Sequence, residues 1–310
     1  MEFKANDLDS LYVKVIRTIL NEGEIVVTRG MKVKEIKGVH LVLNNPRSRI
    51  ITNSNRKMDI ALACGELLWY LSGDDGLDFI NFYNKRYKNF SDDGKKLHGS
   101  YGKRIFSEKN GKSSWEMAKQ RLLNDNGTRQ AAISIFKTET DISKDTKDVP
   151  CTLNIHFMIR DGKLDCFISM RSNDVIWGLP YDIFTFTVLQ ELMAQELGVG
   201  LGKYYHYVNS MHIYEYHFKF AKNILEGKQI TDYQVALNSS SFNNIQGLLK
   251  QEKSIRDNKR INLSTKYELF NDMALILNLR MLSRTGQKDL YYNKVNLLHY
   301  PLNKLMEWKE

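Results

Sequence analysis

The chain has 310 residues, of which 42% are hydrophobic and 26% charged, a composition typical of a globular protein with a large core. Its net charge of +9 aids solubility or favours an anionic partner, and the scattered basic residues favour a small anion over a nucleic acid. No apolar run could span a membrane, and the first residues carry acids without an apolar stretch. The three cysteines are too few for a disulfide framework and lack the spacing of a zinc site. We therefore expect a cytoplasmic protein with neither a membrane partner nor a metal ion.

The first informative element is a predicted helix over residues 58–72, which is apolar around most of its circumference and should be buried. Glu66 is the only acid in its interior. Because an isolated buried carboxylate is costly, Glu66 must be paired or functional. Residues 137–149 are polar and predict a surface loop.

Two runs of alternating apolar residues follow this loop and predict a β-hairpin. They cover residues 153–159 and 164–170, and Asp161-Gly162 between them is a strong signal for a two-residue turn. Cys151 precedes the first strand and Arg171 follows the second. The hairpin therefore places Cys151 and Arg171 side by side.

The remaining elements alternate between helix and strand. The pattern predicts a helix over 183–197, a strand over 203–209, a helix from about 214 to 225 and a helix over 265–283, whereas 238–260 is polar and poorly periodic. This mixture indicates one α/β domain with a large sheet and covering helices.

A cysteine beside an arginine can act as a nucleophile, because the cation stabilises the thiolate. The usual state of a cysteine is buried and inert, and we favour that interpretation for Cys64 and Cys166, which lie inside apolar runs. For Cys151 the spacing alone leaves both interpretations open. His206, His212 and His217 do not have the regular spacing of a metal site.

Six motifs in order resemble those of the thymidylate synthase family. They are Glu66-Leu67-Leu68-Trp69, Tyr101-Gly102-Lys103, Pro150-Cys151, Arg171-Ser172-x-Asp174, Gly178-Leu179-Pro180 and His212-x-Tyr214. The resemblance is clearest over residues 25–220, and residues 225–310 form a poorly matched extension of what we interpret as one catalytic domain over 1–310. It implies an α+β fold with a large mixed sheet covered by helices, in a homodimer packed through the sheets.

The resemblance also implies a reaction. A one-carbon unit would pass from the co-substrate 5,10-methylenetetrahydrofolate to carbon 5 of a pyrimidine nucleoside monophosphate. Cys151 would add to carbon 6, and Glu66 would organise water and proton transfers with Tyr101 in the same network. We also count Arg171 and Asp182 among the catalytic residues.

Further roles follow from the same motifs. The phosphate would contact Arg29, Arg171 and Ser172, together with Arg129 from the partner subunit, since the guanidinium fork suits phosphate. His212 and Tyr214 would bind the ribose. The folate would contact Asp174, Gly178, Tyr87 and Trp69. Without the evidence of the motifs, each of these residues has an ordinary structural interpretation. Arg29 and Arg129 would be surface cations, His212 a structural histidine, and Trp69 and Tyr214 core residues.

Asp182 is the most informative departure from the family pattern, because thymidylate synthases carry asparagine there. An ionised aspartate can only accept hydrogen bonds, so it would accept from the 4-amino group of cytosine and repel the 4-carbonyl of uracil. This departure resembles the cytidylate branch of the family, the hydroxymethylases of deoxycytidylate or cytidylate. The alternative is a neutral change in a uridylate enzyme.

Other departures affect the product. Thr152 replaces a histidine, Gln130 replaces a second phosphate arginine, and Tyr87 and Phe90 stand where tryptophans usually lie near the folate. Less bulk there could admit water, which would give a hydroxymethyl rather than a methyl product. We therefore expect a cytidylate 5-hydroxymethyltransferase. The alternatives are a thymidylate synthase, a cytidylate methylase, or a silent nucleotide- or nucleic-acid-binding homologue, and the sequence does not separate dCMP from CMP.

Overall fold

The computed structural model describes residues 1–56, 58–107, 111–143, 145–230, 244–259, 268–298 and 302–306. Its strands are β1 (Glu2–Ala5), β2 (Glu24–Thr28), β3 (Met31–Leu43), β4 (Ala132–Ser134), β5 (Thr152–Arg160), β6 (Lys163–Met170), β7 (Asn173–Asp174) and β8 (Gly200–Tyr214). Its α-helices are α1 (Leu8–Glu22), α2 (Ile60–Ser72), α3 (Leu77–Tyr83), α4 (Tyr101–Phe106), α5 (Ser114–Asn124), α6 (Thr138–Asp141), α7 (Leu179–Glu196), α8 (Phe218–Glu226), α9 (Ile245–Arg256), α10 (Glu268–Arg284), α11 (Lys288–Val295) and α12 (Leu302–Leu305).

The chain divides into two compact units. The first contains the described residues of 1–58, 109–144 and 149–234, and the second those of 59–108, 145–148 and 235–310. All eight strands lie in the first unit and form one sheet in the order β1-β3-β8-β6-β5-β4, with β2 on β3 and β7 on β8. The predicted α/β class, with a large mixed sheet covered by helices, is confirmed. The extent of a single catalytic domain over 1–310 stays a prediction.

The sheet is mixed, and its two faces differ in burial. The pairs β1/β3, β6/β8 and β7/β8 are parallel, and the other pairs are antiparallel. Along β6 the apolar residues Leu164, Cys166 and Ile168 are buried, whereas Asp165 and Phe167 remain partly exposed. This period of two means that one face carries the core and the other is open in the single chain.

The predicted hairpin is confirmed. Arg160 pairs with Lys163, and the two turn residues, Asp161 and Gly162, have φ values of 50° and 69°. Positive φ at both positions defines the tight turn that matches strand twist, and it favours Asp and Gly. At the far end of the hairpin Thr152 pairs with Met170, so the residues just outside it are neighbours.

Three boundaries differ from the sequence-based predictions. The strand predicted over 203–209 extends to Tyr214, and the next α-helix begins only at Phe218, after a 3₁₀ turn. The loop predicted over 137–149 contains the short helix α6, and α7 begins at Leu179 rather than at residue 183. The polar stretch 238–260 contains helix α9, which the pattern missed.

Helix α9 was missed because one of its buried positions holds a charged residue. Glu252 is buried beside Leu248 and Ile255, so the helix has an apolar face interrupted by an acid. Its carboxylate accepts hydrogen bonds from Tyr83 Oη at 2.7 Å and Arg256 Nε at 2.6 Å. These contacts offset the cost of burying the charge, and the sequence alone does not reveal them.

In the described part of the chain, no helix has both the length and the apolar character needed to cross a membrane. The predicted helices over 58–72 and 265–283 are observed as α2 and α10.

Candidate active site

The predicted nucleophile and its cation lie at adjoining strand ends in the first unit. The backbone N–H of Arg171 donates to the carbonyl oxygen of Cys151 at 2.9 Å. The guanidinium turns back onto the segment before the thiol, donating from Nε to Pro150 O at 2.9 Å and from Nη2 to Val149 O at 2.8 Å. The side chain of Arg171 is therefore held beside the residue that carries the thiol.

Only one of the three cysteines keeps part of its surface exposed. Cys151 is half-buried, whereas Cys64 and Cys166 are buried. Burial raises the pKa of the Cys64 and Cys166 thiols well above the usual value for a thiol. These two thiols are therefore protonated and shielded, which leaves Cys151 as the candidate nucleophile.

The ends of strands β7 and β8 bring together three of the predicted binding residues. Asp174 pairs with His212 across the two strands, and the His212 ring meets the Tyr214 ring edge-on with centroids 5.1 Å apart. Burial raises the pKa of Asp174, and the N–H of Ile176 at 2.8 Å and the charge on His212 oppose that shift. The carboxylate thus lies in a partly desolvated site with a histidine beside it.

Three of the predicted residues of this unit influence the charge of the Tyr214 hydroxyl. Burial raises its pKa, the negative charges of Asp174 and Cys151 add to that shift, and the charge of Arg29 opposes it. These three side chains are therefore within electrostatic range of Tyr214. Arg29 reaches this region from the turn between β2 and β3, where it adopts φ 48°.

Asp182 lies in the first turn of α7 and is anchored from β7. Its Oδ2 accepts a hydrogen bond from Asn173 Nδ2 at 2.7 Å. Gly178, just before the helix, is required by this contact, because a Cβ there would lie 2.7 Å from Asn173 Nδ2 and 3.3 Å from Asp182 Oδ2. Gly178 therefore has a packing role, and its predicted contact with the folate stays a prediction.

Arg129, Ser172 and Thr152 complete the predictions in this unit. Arg129 is exposed near the β4 edge, and its carbonyl oxygen accepts from His156 Nε2 at 3.1 Å. Ser172 is half-buried between Arg171 and Asn173, and Thr152 is buried at the start of β5. The exposed position of Arg129 leaves its guanidinium accessible to a second molecule.

Four predicted residues lie in the second unit, where Glu66 has a partner that the sequence analysis did not assign. Glu66 Oε1 accepts a hydrogen bond from the Tyr87 hydroxyl. Burial raises the pKa of Glu66 from its usual 4.5 to about 7, and the bond from Tyr87 opposes the shift. A carboxylic acid that titrates near neutrality can both give and take a proton at physiological pH.

Of the other two residues, Trp69 contacts Tyr87, whereas Tyr101 contacts Tyr70. The Trp69 ring meets the Tyr87 ring edge-on at 5.9 Å, and the Tyr101 ring lies 5.4 Å from that of Tyr70. Gly102 allows this packing, because a Cβ there would lie 2.4 Å from the Tyr70 carbonyl oxygen. Trp69 is only 3% exposed in the single chain, and its predicted contact with the folate stays a prediction.

The raised pKa of Glu66 predicts a pH-dependent stability. The folded protein keeps the Glu66 proton up to about pH 7, whereas the unfolded chain loses it near pH 4.5, so stability falls as pH rises between these values. We expect the free energy of unfolding of Glu66→Gln, relative to that of the wild type, to increase across this window and level off above it. Chemical denaturation of both proteins at several pH values measures this difference, and a difference that stays constant would contradict the burial of the charge.

Sequence reasoning missed the polar residues that support Asp182. Asn173 occupies the unspecified position in the Arg-Ser-x-Asp motif, and its Oδ1 lies 3.2 Å from His206 Nε2. His206 Nδ1 in turn lies 2.8 Å from the Tyr204 hydroxyl. The alternation of the strand places Tyr204 and His206 on one face, and this was the only indication in the sequence that the two side chains could contact each other. Among the described residues, His, Cys, Asp and Glu form no group of three or more that could hold a metal ion.

A family model described as "Thymidylate synthase" matches residues 10–264. The chain is 33% identical to the deoxyuridylate hydroxymethyltransferase of Bacillus phage SP01 over 72% of this chain and 61% of that protein. It is 30% identical to the deoxyuridylate hydroxymethyltransferase of Delftia phage PhiW-14, over 63% of this chain and 57% of that protein. It is also 26% identical to the thymidylate synthase of Buchnera aphidicola, over 68% of this chain and 81% of that protein. The chain thus spans about three fifths of the length of the two phage relatives.

Proposed function

The chain belongs to the thymidylate synthase family, and on that premise we propose that it transfers a one-carbon unit from 5,10-methylenetetrahydrofolate to carbon 5 of a cytidylate, dCMP or CMP, giving the 5-hydroxymethyl product. The observation that carries this proposal is that the partly exposed Cys151 adjoins Arg171 across the strand ends, with the Arg171 guanidinium held on the carbonyls just before the cysteine. Asp182, anchored at the start of α7, supplies the preference for cytosine.

Cys151 begins the reaction by adding its thiolate to carbon 6 of the base, which makes carbon 5 nucleophilic. Arg171 favours the thiolate by its charge and also contacts the nucleotide phosphate. Carbon 5 would then bond to the methylene carbon that the folate supplies, and loss of the carbon 5 proton with departure of tetrahydrofolate would leave an exocyclic methylene on carbon 5. Water adds to that methylene as the thiolate leaves carbon 6, and the product carries a hydroxymethyl group.

The nucleotide is held by groups at its two ends. Arg29, Arg171 and Ser172 bind the phosphate, and the partner subunit contributes its copy of Arg129. His212 and Tyr214, packed edge-on at the end of β8, bind the ribose. This arrangement is supported by the electrostatic effect that both Cys151 and Arg29 have on the pKa of Tyr214.

The residues of the second unit serve proton transfer and the folate. Glu66, with its pKa raised by burial to about 7, relays protons through water, and Tyr101 belongs to that network. Tyr87 and Trp69, which pack edge-on, contact the folate together with Asp174 and Gly178. The hydrogen bond from Tyr87 to Glu66 links the folate contacts to the proton relay.

We also infer a homodimer packed through the open face of the sheet, in a reducing compartment such as the cytoplasm. That face carries flat ring pairs, with Phe167 stacked on Tyr205 at 4.5 Å and His40 on Tyr207 at 4.2 Å. Tyr207 is 41% exposed although it lies in a central strand. Rings of this kind are typical of interface cores.

Mixed dimers test whether Arg129 acts across that interface. We expect Cys151→Ala and Arg129→Ala each to abolish or strongly reduce turnover, the second by weakening phosphate binding. Refolding the two variants together should restore about one quarter of wild-type activity, because half of the dimers then contain one complete site. If Arg129 serves its own subunit, every mixed dimer lacks a complete site and no activity returns.

A product assay tests the proposed function directly. The protein is incubated with the folate and with dCMP, CMP, dUMP or UMP in turn, and the products are weighed by mass spectrometry, with Cys151→Ala as the blank. We expect a hydroxymethyl group on a cytidylate. Conversion of a uridylate alone would overturn the cytidylate assignment.

The second candidate is hydroxymethylation of deoxyuridylate, which the names of the phage relatives favour. The same assay separates it by the nucleotide consumed, and a methyl product would instead indicate a thymidylate synthase or a cytidylate methylase. A silent nucleotide-binding homologue would give no product, and would release no tritium from carbon 5 of a labelled nucleotide.

A further inference from the structure

Behind Asp182 the structure contains an unbroken series of hydrogen-bonded side chains that the proposed chemistry does not use. It runs from the Tyr204 hydroxyl to His206 Nδ1 at 2.8 Å, from His206 Nε2 to Asn173 Oδ1 at 3.2 Å, and from Asn173 Nδ2 to Asp182 Oδ2 at 2.7 Å. We call these four residues the Tyr204–Asp182 series. It connects β8, β7 and the first turn of α7.

The interior of this series is buried. Tyr204 and His206 are 0% exposed and Asn173 is 4% exposed, whereas Asp182 is only half-buried. Buried polar groups are costly unless each one is satisfied, and a satisfied network in a dry environment fixes its own geometry. The series thus leads from the core to one partly open carboxylate.

The protonation states of Tyr204 and His206 determine which group donates and which accepts in each hydrogen bond of the series. Burial lowers the pKa of His206 to about 3, so the ring is neutral and offers one donor and one acceptor. Burial also raises the pKa of Tyr204 well above its usual value, so its hydroxyl keeps its proton. With an ionised Asp182 one arrangement satisfies every contact. Tyr204 donates to Nδ1, Nε2–H donates to Asn173 Oδ1, and the Asn173 amide donates to Asp182.

We propose that Tyr204, His206 and Asn173 are positioning residues that determine base specificity, because together they deliver one N–H to Asp182 Oδ2 and hold that carboxylate as an acceptor toward the base. This inference rests on the proposed function, in which Asp182 reads position 4 of the pyrimidine. None of the three residues touches the nucleotide, and they act only through Asp182.

The effect depends on the orientation of the Asn173 amide. If Tyr204 no longer donates, the neutral His206 ring can place its proton on Nδ1 and turn Nε2 into an acceptor. In either orientation the Asn173 amide then sets one acceptor against another, with Oδ1 facing His206 Nε2 or Asp182 Oδ2, so its N–H is no longer fixed on that carboxylate. The space around the Asn173 amide is narrow, because even a Cβ at the neighbouring Gly178 would lie 2.7 Å from Asn173 Nδ2. A change at Tyr204, three residues away from Asp182 in the series, should therefore alter base choice.

The experiment compares Tyr204→Phe, His206→Phe and His206→Gln with the wild type. The measured quantity is the ratio of kcat/KM for the cytidylate to kcat/KM for the matching uridylate. We expect His206→Phe to lower this ratio about tenfold, equivalent to about 1.4 kcal/mol, and Tyr204→Phe to lower it by less. His206→Gln keeps an amide N–H that can reach Asn173, so it should recover part of the ratio.

Gln190→Leu provides a matched control. Gln190 is also buried, on the same helix as Asp182, and donates to Leu164 O at 2.9 Å and Lys203 O at 3.0 Å. This variant removes buried hydrogen bonds between α7 and the sheet without touching the series, so its ratio should equal that of the wild type. Thermal melting of every variant identifies any that do not fold, and Tyr204→Phe, which removes one atom, then decides the outcome.

The outcomes separate the two proposals. If the wild type prefers cytidylate and the folded variants keep that preference, the series is only structural and the inference fails while the proposed function stands. An equal loss of preference in Gln190→Leu would also overturn the inference. Turnover of uridylate alone by the wild type would overturn both.

Discussion

Replacing Cys151 with alanine should reduce turnover of the nucleotide by on the order of 10⁴-fold or more, since removal of a covalent nucleophile leaves only binding and positioning. The structure supports this expectation because Cys151 alone among the cysteines is partly exposed, and Arg171 donates its backbone N–H to the Cys151 carbonyl and its guanidinium to the carbonyls of Pro150 and Val149. The measurement is release of tritium from carbon 5 of a labelled cytidylate. This release reports attack at carbon 6 and does not require the water step to succeed.

Two matched variants exclude a general effect of removing a thiol. Cys64→Ala and Cys166→Ala remove buried thiols that burial keeps protonated, so tritium release should continue in both once their stability is taken into account. Tritium release at the wild-type rate in Cys151→Ala would show that another group activates the base.

The part of the site that the sequence predicted is the part set by local rules. The turn at Asp161-Gly162 fixes the register of β5 and β6 as far as Asn154 and Ser169, and a shift of one residue before Asn154 then makes Cys151 and Arg171 neighbours. The turn depends on no distant residue, so alternation and turn chemistry were sufficient to bring the two strand ends together, whereas the shift was not predicted.

Boundaries were missed where the burial pattern changes along one element. From Met211 to Ile213 three consecutive residues of β8 are buried, so the alternation that marks a strand is lost there. The reason is tertiary, because β7 pairs with β8 at Met211 and His212. A single sequence does not show that a second segment covers this end of the strand.

The hydrogen bonds that set the charge and orientation of the site residues could not be predicted from the sequence for a similar reason. Tyr87 donates to Glu66 from 21 positions along the chain, and Asn173 contacts His206 across 33. Motif spacing assigned Glu66 and Asp182 to their roles, but it carried no information on the neighbours that set their charge and orientation. Such partners are determined by tertiary packing. The sequence pattern shows only whether a residue is apolar or polar, not which residue it packs against.

Replacing Asp182 with asparagine should shift preference from cytidylate to uridylate. The Asn173 amide donates to residue 182 at 2.7 Å, so the oxygen of a new asparagine would take that bond and its NH₂ would face the base. This NH₂ donates to the 4-carbonyl of uracil, whereas it opposes the 4-amino group of cytosine. Each mismatch is worth about 1–3 kcal/mol, so the ratio of kcat/KM values should change by about 10- to 100-fold or more.

Two further variants show whether Asp182→Asn creates a preference for uridylate or only weakens the preference for cytidylate. Asp182→Ala removes both acceptor and donor, so it should weaken both nucleotides without creating a preference for uridylate. Asp141→Asn makes the same chemical change at a buried carboxylate that accepts from Lys137 N at 2.7 Å, and it should leave the ratio unaltered. An unchanged preference in Asp182→Asn would mean that this side chain does not read the base, since the hydrogen bond from Asn173 leaves its amide only one favourable orientation.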